Sequence, residues 1–143
     1  DKVIFNFNTD GAGYSDTGAV SIFGWNRTGT NEMLEAGVAP FDLKIIGDPA
    51  PEQGLFDRSD NVSFARKGIP ALTFSPGFSE FDAEILQHYH QVSDEAASID
   101  YAYLKKYCQA FAHSCRMIAN SPKVPVWVEG DKYEEAGKEL YNK

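Results

Sequence analysis

Hydrophobic and polar positions change period several times along the chain. Val3-Ile4-Phe5-Asn6-Phe7-Asn8 is a short run rich in β-formers with a polar end, and Gly11-Ala12-Gly13 stops it. Ala19-Val20-Ser21-Ile22-Phe23-Gly24-Trp25 reads as a second strand, and the polar turn before it, with Ser15, Asp16 and Gly18, suggests that the two strands are antiparallel neighbours. Thr30 or Asn31 can cap a helix over Glu32 to Ala36, which Gly37 can end. Phe41, Leu43 and Ile45 alternate with polar or charged neighbours, as a third strand would.

The loop Asp48-Pro49-Ala50-Pro51-Glu52-Gln53-Gly54 is followed by Ser59, an N-cap for a short helix through Lys67 that Gly68 closes. Pro70-Ala71-Leu72-Thr73-Phe74 is a buried strand, broken by Pro76-Gly77. Residues 76–99 then read as one long connection, and connections of that length are often functional. Asp100 caps the longest helix, with Leu104, Cys108, Phe111, Cys115 and Ile118 as its apolar stripe and Ser121-Pro122 as its end. A β-like Val124-Pro125-Val126-Trp127-Val128 precedes a charged tail with Tyr133, Ala136 and Leu140 on one side, either a short surface helix or a lightly held extension. Strands alternating with helices predict an α/β fold, three-layer α/β/α with a mixed β-sheet. We divide it into residues 1–120 and a C-terminal extension, 121–143, that packs on or trails from it.

Composition narrows the function. Hydrophobic content of 43% and charged content of 24% are globular values, and a net charge of −8 argues against a nucleic-acid surface. No apolar run is long enough to span a membrane. The chain opens on Asp1-Lys2, without Met, directly before a strand, which reads as a trimmed or excised fragment. Cys108 and Cys115, two helical turns and about 10 Å apart, are too distant for a disulfide and read as core residues. Asn26-Arg27-Thr28 and Asn61-Val62-Ser63 match the glycosylation triplet.

Candidate chemistry lies at strand ends and in the long connection. Asp10 ends the first strand ahead of a glycine turn, so it is either a carboxylate aimed into a ligand crevice or an ordinary turn residue. His90 is a candidate zinc ligand, Asp94 a carboxylate that could orient it, and Tyr89 a donor to a developing oxyanion. His88 and His90 would point opposite ways on an extended backbone. Arg58 could bind a substrate oxygen, while Ser59 and Asp60 could simply be caps. Phe78, Phe81, Ile85 and Leu86 could wall a substrate pocket or pin their loop to the core. Phosphate-loop, Gly-x-Ser-x-Gly and CxxC patterns do not occur.

As an ordered set these pieces resemble the C-terminal half of the M28 family of zinc aminopeptidases. Asn8-Thr9-Asp10-Gly11-Ala12-Gly13 is similar to the family's Asn-x-Asp-x-x-Gly, and Tyr89-His90-Gln91-Val92-Ser93-Asp94 to its Tyr-His-x-x-x-Asp. Ser59-Asp60-Asn61-Val62-Ser63-Phe64 followed by Gly68-Ile69-Pro70-Ala71 is similar to its Ser-Asp-His-x-x-Phe and Gly-Ile-Pro-Ala segments. Ile99-Asp100-Tyr101 opens a helix that matches its closing helix. The resemblance implies two zinc ions bridged by an aspartate and a water, removal of N-terminal residues from peptides, and attack on the scissile carbonyl by metal-activated water. It makes Asp10 a ligand of one zinc and His90 of the other, Tyr89 and Arg58 catalytic, and Asp94, Asp60 and Asn61 supporting residues. Asn61 departs from the family's His.

The remaining ligands and the general base belong to a family half that these 143 residues lack. The missing half of the catalytic domain is therefore the expected partner, beside peptide substrates. The isolated chain is expected to be inactive and to hold zinc weakly or not at all. Relatives are commonly exported, so an extracytoplasmic location (periplasmic, secreted or surface-anchored) is expected. Two alternatives stay open: a glutaminyl cyclase-like zinc acyltransferase, and a non-catalytic peptidase-like binding module.

Overall fold

A computed structural model describes residues 3–11, 13 and 16–141. Four strands form a mixed sheet: β1 (Asn6–Thr9), β2 (Ala19–Phe23), β3 (Lys44–Ile46) and β4 (Ala71–Pro76). Their order is β1-β4-β2-β3. β4 runs parallel to β1 and antiparallel to β2, and β2 is parallel to β3. Every residue of β2 and β4 is buried, as central strands covered on both faces should be. The expected pairing of the first two strands is therefore corrected: β4 lies between them. Of the turn read between them, Ala12 and Ser15 lie outside the described residues.

Side-chain alternation divides the core into two layers. On one face Val20, Ile22, Leu72 and Phe74 pack with Leu34 and Val38 of helix α1 (Asn31–Val38) and with Tyr103, Tyr107 and Ala110 of helix α5 (Tyr101–Ala119). On the other, Phe23 and Ala71 meet short helices: Leu55 and Phe56 of α2 (Leu55–Arg58), Ala65 of α3 (Asn61–Ala65) and Ile85 of α4 (Ala83–His88). Trp127 joins this second cluster. With helices on both faces of the sheet, the fold is the expected three-layer α/β arrangement.

Asp100 caps α5 as the sequence indicates, its carboxylate accepting from the backbone N–H groups of Ala102 and Tyr103 at 2.9 and 3.0 Å. The buried stripe is rotated by about one residue from the expected one, to Tyr103, Tyr107, Ala110, Ser114 and Ile118. Cys108 is exposed and Cys115 half-buried, so neither is a core cysteine. The rotation has a physical cause: both tyrosine hydroxyls find backbone partners at the sheet. Tyr103 donates to Ala19 O at 2.7 Å and accepts from Gly77 N at 2.8 Å, while Tyr107 donates to Phe74 O at 2.7 Å. Burial raises the Tyr103 phenol to about 12 and pushes Tyr107 up as well.

Gly37 does not end α1 but lies inside it. A methyl group there would sit 2.2 Å from Ser114 Oγ and 2.8 Å from Ser114 Cα. The glycine is what lets α1 approach α5. The third strand is shorter than read, because Phe41 belongs to a 3-10 turn, Ala39–Phe41. Residues 76–99 are not one loop: they hold α4, capped by Asp82 at 3.0 Å from Glu84 N and Ile85 N, and a 3-10 turn, Ala96–Ser98. Residues 124–128 form no strand; two backbone hydrogen bonds, Val126 N to Thr28 O and Val128 N to Arg27 O, hold them. The tail forms a helix, α6 (Glu134–Tyr141).

Candidate active site

β1 and β4 end side by side, and the candidate residues gather beyond their carboxyl ends, where open α/β sheets bind ligands. Asp10 follows the last residue of β1. The loop after α4 brings Tyr89 and His90 over it. That loop is tied down by His88 Nδ1, 2.8 Å from Ser93 O, and by the Ser93 hydroxyl on Gln87 O. The backbone is not extended at this point: His90 adopts φ 58°, a left-handed conformation rare for a residue with a side chain. The imidazole of His90 stacks on the Tyr89 ring at 4.1 Å and 19°. Phe81 meets the Tyr89 ring in an edge-to-face contact at 5.1 Å.

Asp10, Tyr89 and His90 line two adjoining cavities. The larger, about 670 Å³, adds His88, Asp94, Glu84 and the backbone around Gly11. The smaller, about 280 Å³, is walled by Phe23, Leu55, Phe78, Phe81 and Ile85, with Arg58 at its edge. Arg58 Nη2 donates to Tyr89 Oη at 3.4 Å and Nη1 to Gln53 O at 3.2 Å. A guanidinium only donates, so Tyr89 accepts and its own proton stays free to donate elsewhere. Of the apolar residues proposed for a pocket wall, Leu86 is turned to solvent.

Asn61 is fully buried, which bars its glycosylation triplet from modification. Its Oδ1 accepts from Thr73 Oγ1 at 2.9 Å. Thr73 Oγ1 in turn accepts from Asn8 Nδ2 at 3.2 Å, and the same amide donates to Asp10 Oδ2 at 2.9 Å. A polar relay thus runs from α3 through β4 and β1 to the carboxylate of Asp10. Asn61 Nδ2 has no partner in it. Sequence reasoning did not find Thr73, because its place opposite Asn8 depends on the β1–β4 register. Asn8 was accessible in principle, since it lies two residues before Asp10 and so on the same face of an extended strand.

Asp94 lines the larger cavity, but among the described residues its carboxylate makes no hydrogen bond to His90. Asp60 is exposed at the start of α3, without a side-chain cap, and lines neither cavity. Ser59 is not a cap either: its hydroxyl donates to Leu55 O at 3.0 Å.

The model of Peptidase family M28 matches residues 1–115. The chain belongs to this family. Searches of the curated proteins and of the solved structures returned no match. An M28 domain is a peptidase-like hydrolase domain, and the family is generally zinc-dependent. Zinc takes carboxylate oxygen and imidazole nitrogen, the donors Asp10 and His90 present to one cavity. Among the described residues, no group of three or more His, Cys, Asp and Glu could hold a metal ion. Nor is any helix of these residues long and apolar enough to cross a membrane.

Proposed function

We propose that this M28 domain contributes two metal ligands and the substrate-side wall of a zinc aminopeptidase site. The observation that carries this reading is the meeting of Asp10 and His90, distant in sequence, at the junction of two cavities. Asp10 and His90 would each hold one of two zinc ions, with Asp10 oriented through Asn8. The metal, when bound, activates water and polarises the scissile carbonyl. Tyr89 donates its free phenolic proton to the oxygen that gains charge, and Arg58 holds the phenol in place. The apolar cavity of about 280 Å³ receives the side chain of the N-terminal residue, which favours aliphatic or aromatic substrates.

On this reading the family's remaining ligands and its general base are supplied by chain outside these 143 residues. β1 suits such a neighbour, because it is an edge strand of the sheet, with Val3 and Ile4 exposed just before it. On this reading the 143 residues alone bind zinc weakly and do not hydrolyse peptides. An exported location fits the habit of the family's exopeptidases.

The test is hydrolysis of leucyl-nitroanilide by the full-length protein, with and without a chelator, and in Asp10→Asn and His90→Ala variants. Zinc-dependent activity lost in both variants is the expected result. Activity that survives chelation, or none at full zinc occupancy, refutes the reading. Conversion of a Gln-initiated peptide to its pyroglutamyl form, with release of ammonia and no peptide bond cleaved, would point instead to cyclase chemistry.

A further inference from the structure

Residues 121–141 lie beyond the family-matched segment, yet they reach the helix that carries Arg58. α2 has four residues, follows Gly54 in a left-handed conformation and has no side-chain cap. A helix that short has almost no stability of its own, so its surroundings fix its position. Its residues divide by direction. Leu55 and Arg58, three apart and hence on one face, line the small apolar cavity. Phe56 and Asp57 are engaged by the extension and by Arg27, which the extension holds.

Phe56 packs under Arg27, whose guanidinium lies 4.0 Å above its ring, and against Trp127 and Tyr133 at 6.4 and 6.2 Å between centroids. Arg27 is held by a bidentate pair with Asp131, at 2.7 and 3.1 Å. The carboxylate of Asp57 accepts from Lys132 Nζ at 2.7 and 2.8 Å and from Tyr133 Oη at 3.1 Å. At the far end of α3, Trp127 Nε1 donates to Gly68 O at 3.0 Å. There is no room for a side chain at Gly68, where a methyl group would lie 2.2 Å from Ala136 O.

We infer that the extension is a positioning strut: by gripping Phe56 and Asp57 it sets α2, and through α2 the placement of Leu55 and Arg58 in the cavity wall. Asp57, Lys132 and Tyr133 are positioning residues here, since none of them lines either cavity. Trp127 and Tyr133 also pack on the core cluster that holds Phe56. The Asp57 cluster is half exposed, and ion pairs of that kind add little to stability. Its effect falls on geometry instead.

This inference rests partly on the peptidase reading, and the experiment separates the two. Asp57→Asn and Lys132→Met loosen the strut, while Lys138→Met breaks only the Glu134 and Glu135 pairs within α6. In the 143-residue chain, amide hydrogen exchange at 55–58 should quicken about fivefold in the first two variants and stay unchanged in the third. In the full-length protein, the preference for leucyl- over alanyl-nitroanilide should fall about threefold to tenfold, through KM for the leucyl substrate, while the melting temperature moves by roughly 2 °C or less. Unchanged exchange overturns the strut. So does a melting temperature that drops while the leucyl/alanyl ratio holds in an active parent, because the extension would then be structural only. If the parent hydrolyses neither substrate, the peptidase reading fails and exchange alone decides the strut.

Discussion

Replacing Thr73 by Val removes one hydroxyl from the relay beneath Asp10 and changes little else in shape. The residue is fully buried, as is Asn61. Asn61 Nδ2 already has no partner, so the variant leaves the whole carboxamide unpaired in the core. A newly unpaired buried acceptor costs about 1–3 kcal/mol. Asn8 loses less, because it is only half buried and keeps its bond to Asp10. Thr73→Val should therefore destabilise by about 2 kcal/mol, a fall of roughly 4–8 °C in melting temperature for a domain of this size. Asn61→Leu alone leaves the Thr73 hydroxyl proton without its acceptor, while the bond from Asn8 stays, and should cost about 1 kcal/mol. The double variant replaces both partners by apolar groups of similar shape and should recover to within about 0.5 kcal/mol of the parent. Urea denaturation of the three variants measures the cycle. If the losses of the single variants simply add in the double, the two side chains are not coupled and the relay is wrong. On the proposed function, the double variant of the full-length protein should still bind zinc about tenfold more weakly despite its restored stability, since Asp10 loses the support behind Asn8.

Further outcomes follow from individual contacts. Gly37→Ala should destabilise by about 1–3 kcal/mol, because forcing α1 away from Ser114 outweighs the helix propensity gained, and thermal melting checks it. Tyr103→Phe leaves Gly77 N and Ala19 O without their partner and should cost about 1–3 kcal/mol in urea. Above pH 10 the unfolded chain releases the Tyr103 and Tyr107 protons first, since both folded phenols ionise higher. Stability should therefore fall as pH rises from 10 toward 12, by about 1.4 kcal/mol per unit for each phenol, and far less in the Phe variants. The hydrogen bond from Lys132 holds the Asp57 carboxyl below its ordinary 3.8, and Asp57 raises Lys132 above 10.5. The Asp57 contribution is present above pH 3.8 and is lost as pH falls through its lowered value. The Lys132 contribution is present below 10.5 and is lost as pH rises through its raised value. Exchange at α2 should then show no dependence on the strut's charge between about pH 5 and 9 once intrinsic rates are divided out.

Much of the fold was legible wherever local chemistry decided it. Asp100 announced the long helix because a cap needs only its next three residues, and Gly68, at φ 84°, closed its segment for an equally local reason. Strand order was not legible, since β4 enters between β1 and β2 through pairings across most of the chain. Gly37 misled because a glycine near a helix end has two uses, and only the proximity of Ser114 distinguishes them. The stripe on α5 misled because tyrosine reads as less buried than cysteine until its hydroxyl finds a carbonyl. At the site, the motif residues Asp10, Tyr89, His90 and Arg58 line one common cavity, the smaller. The Thr73 link and the contribution of Phe23 and Leu55 to the apolar wall required the tertiary structure.

The twisted backbone at His90 sets two selective pressures against each other. A left-handed conformation with a side chain costs about 1–2 kcal/mol, of which His90→Gly would return a part, since glycine loses more backbone entropy on folding. Screening a library of this chain for heat resistance alone would therefore enrich that replacement and discard the imidazole, yielding hardier molecules stripped of a donor. On the proposed function, only a screen of the full-length protein that also demands turnover would keep the histidine.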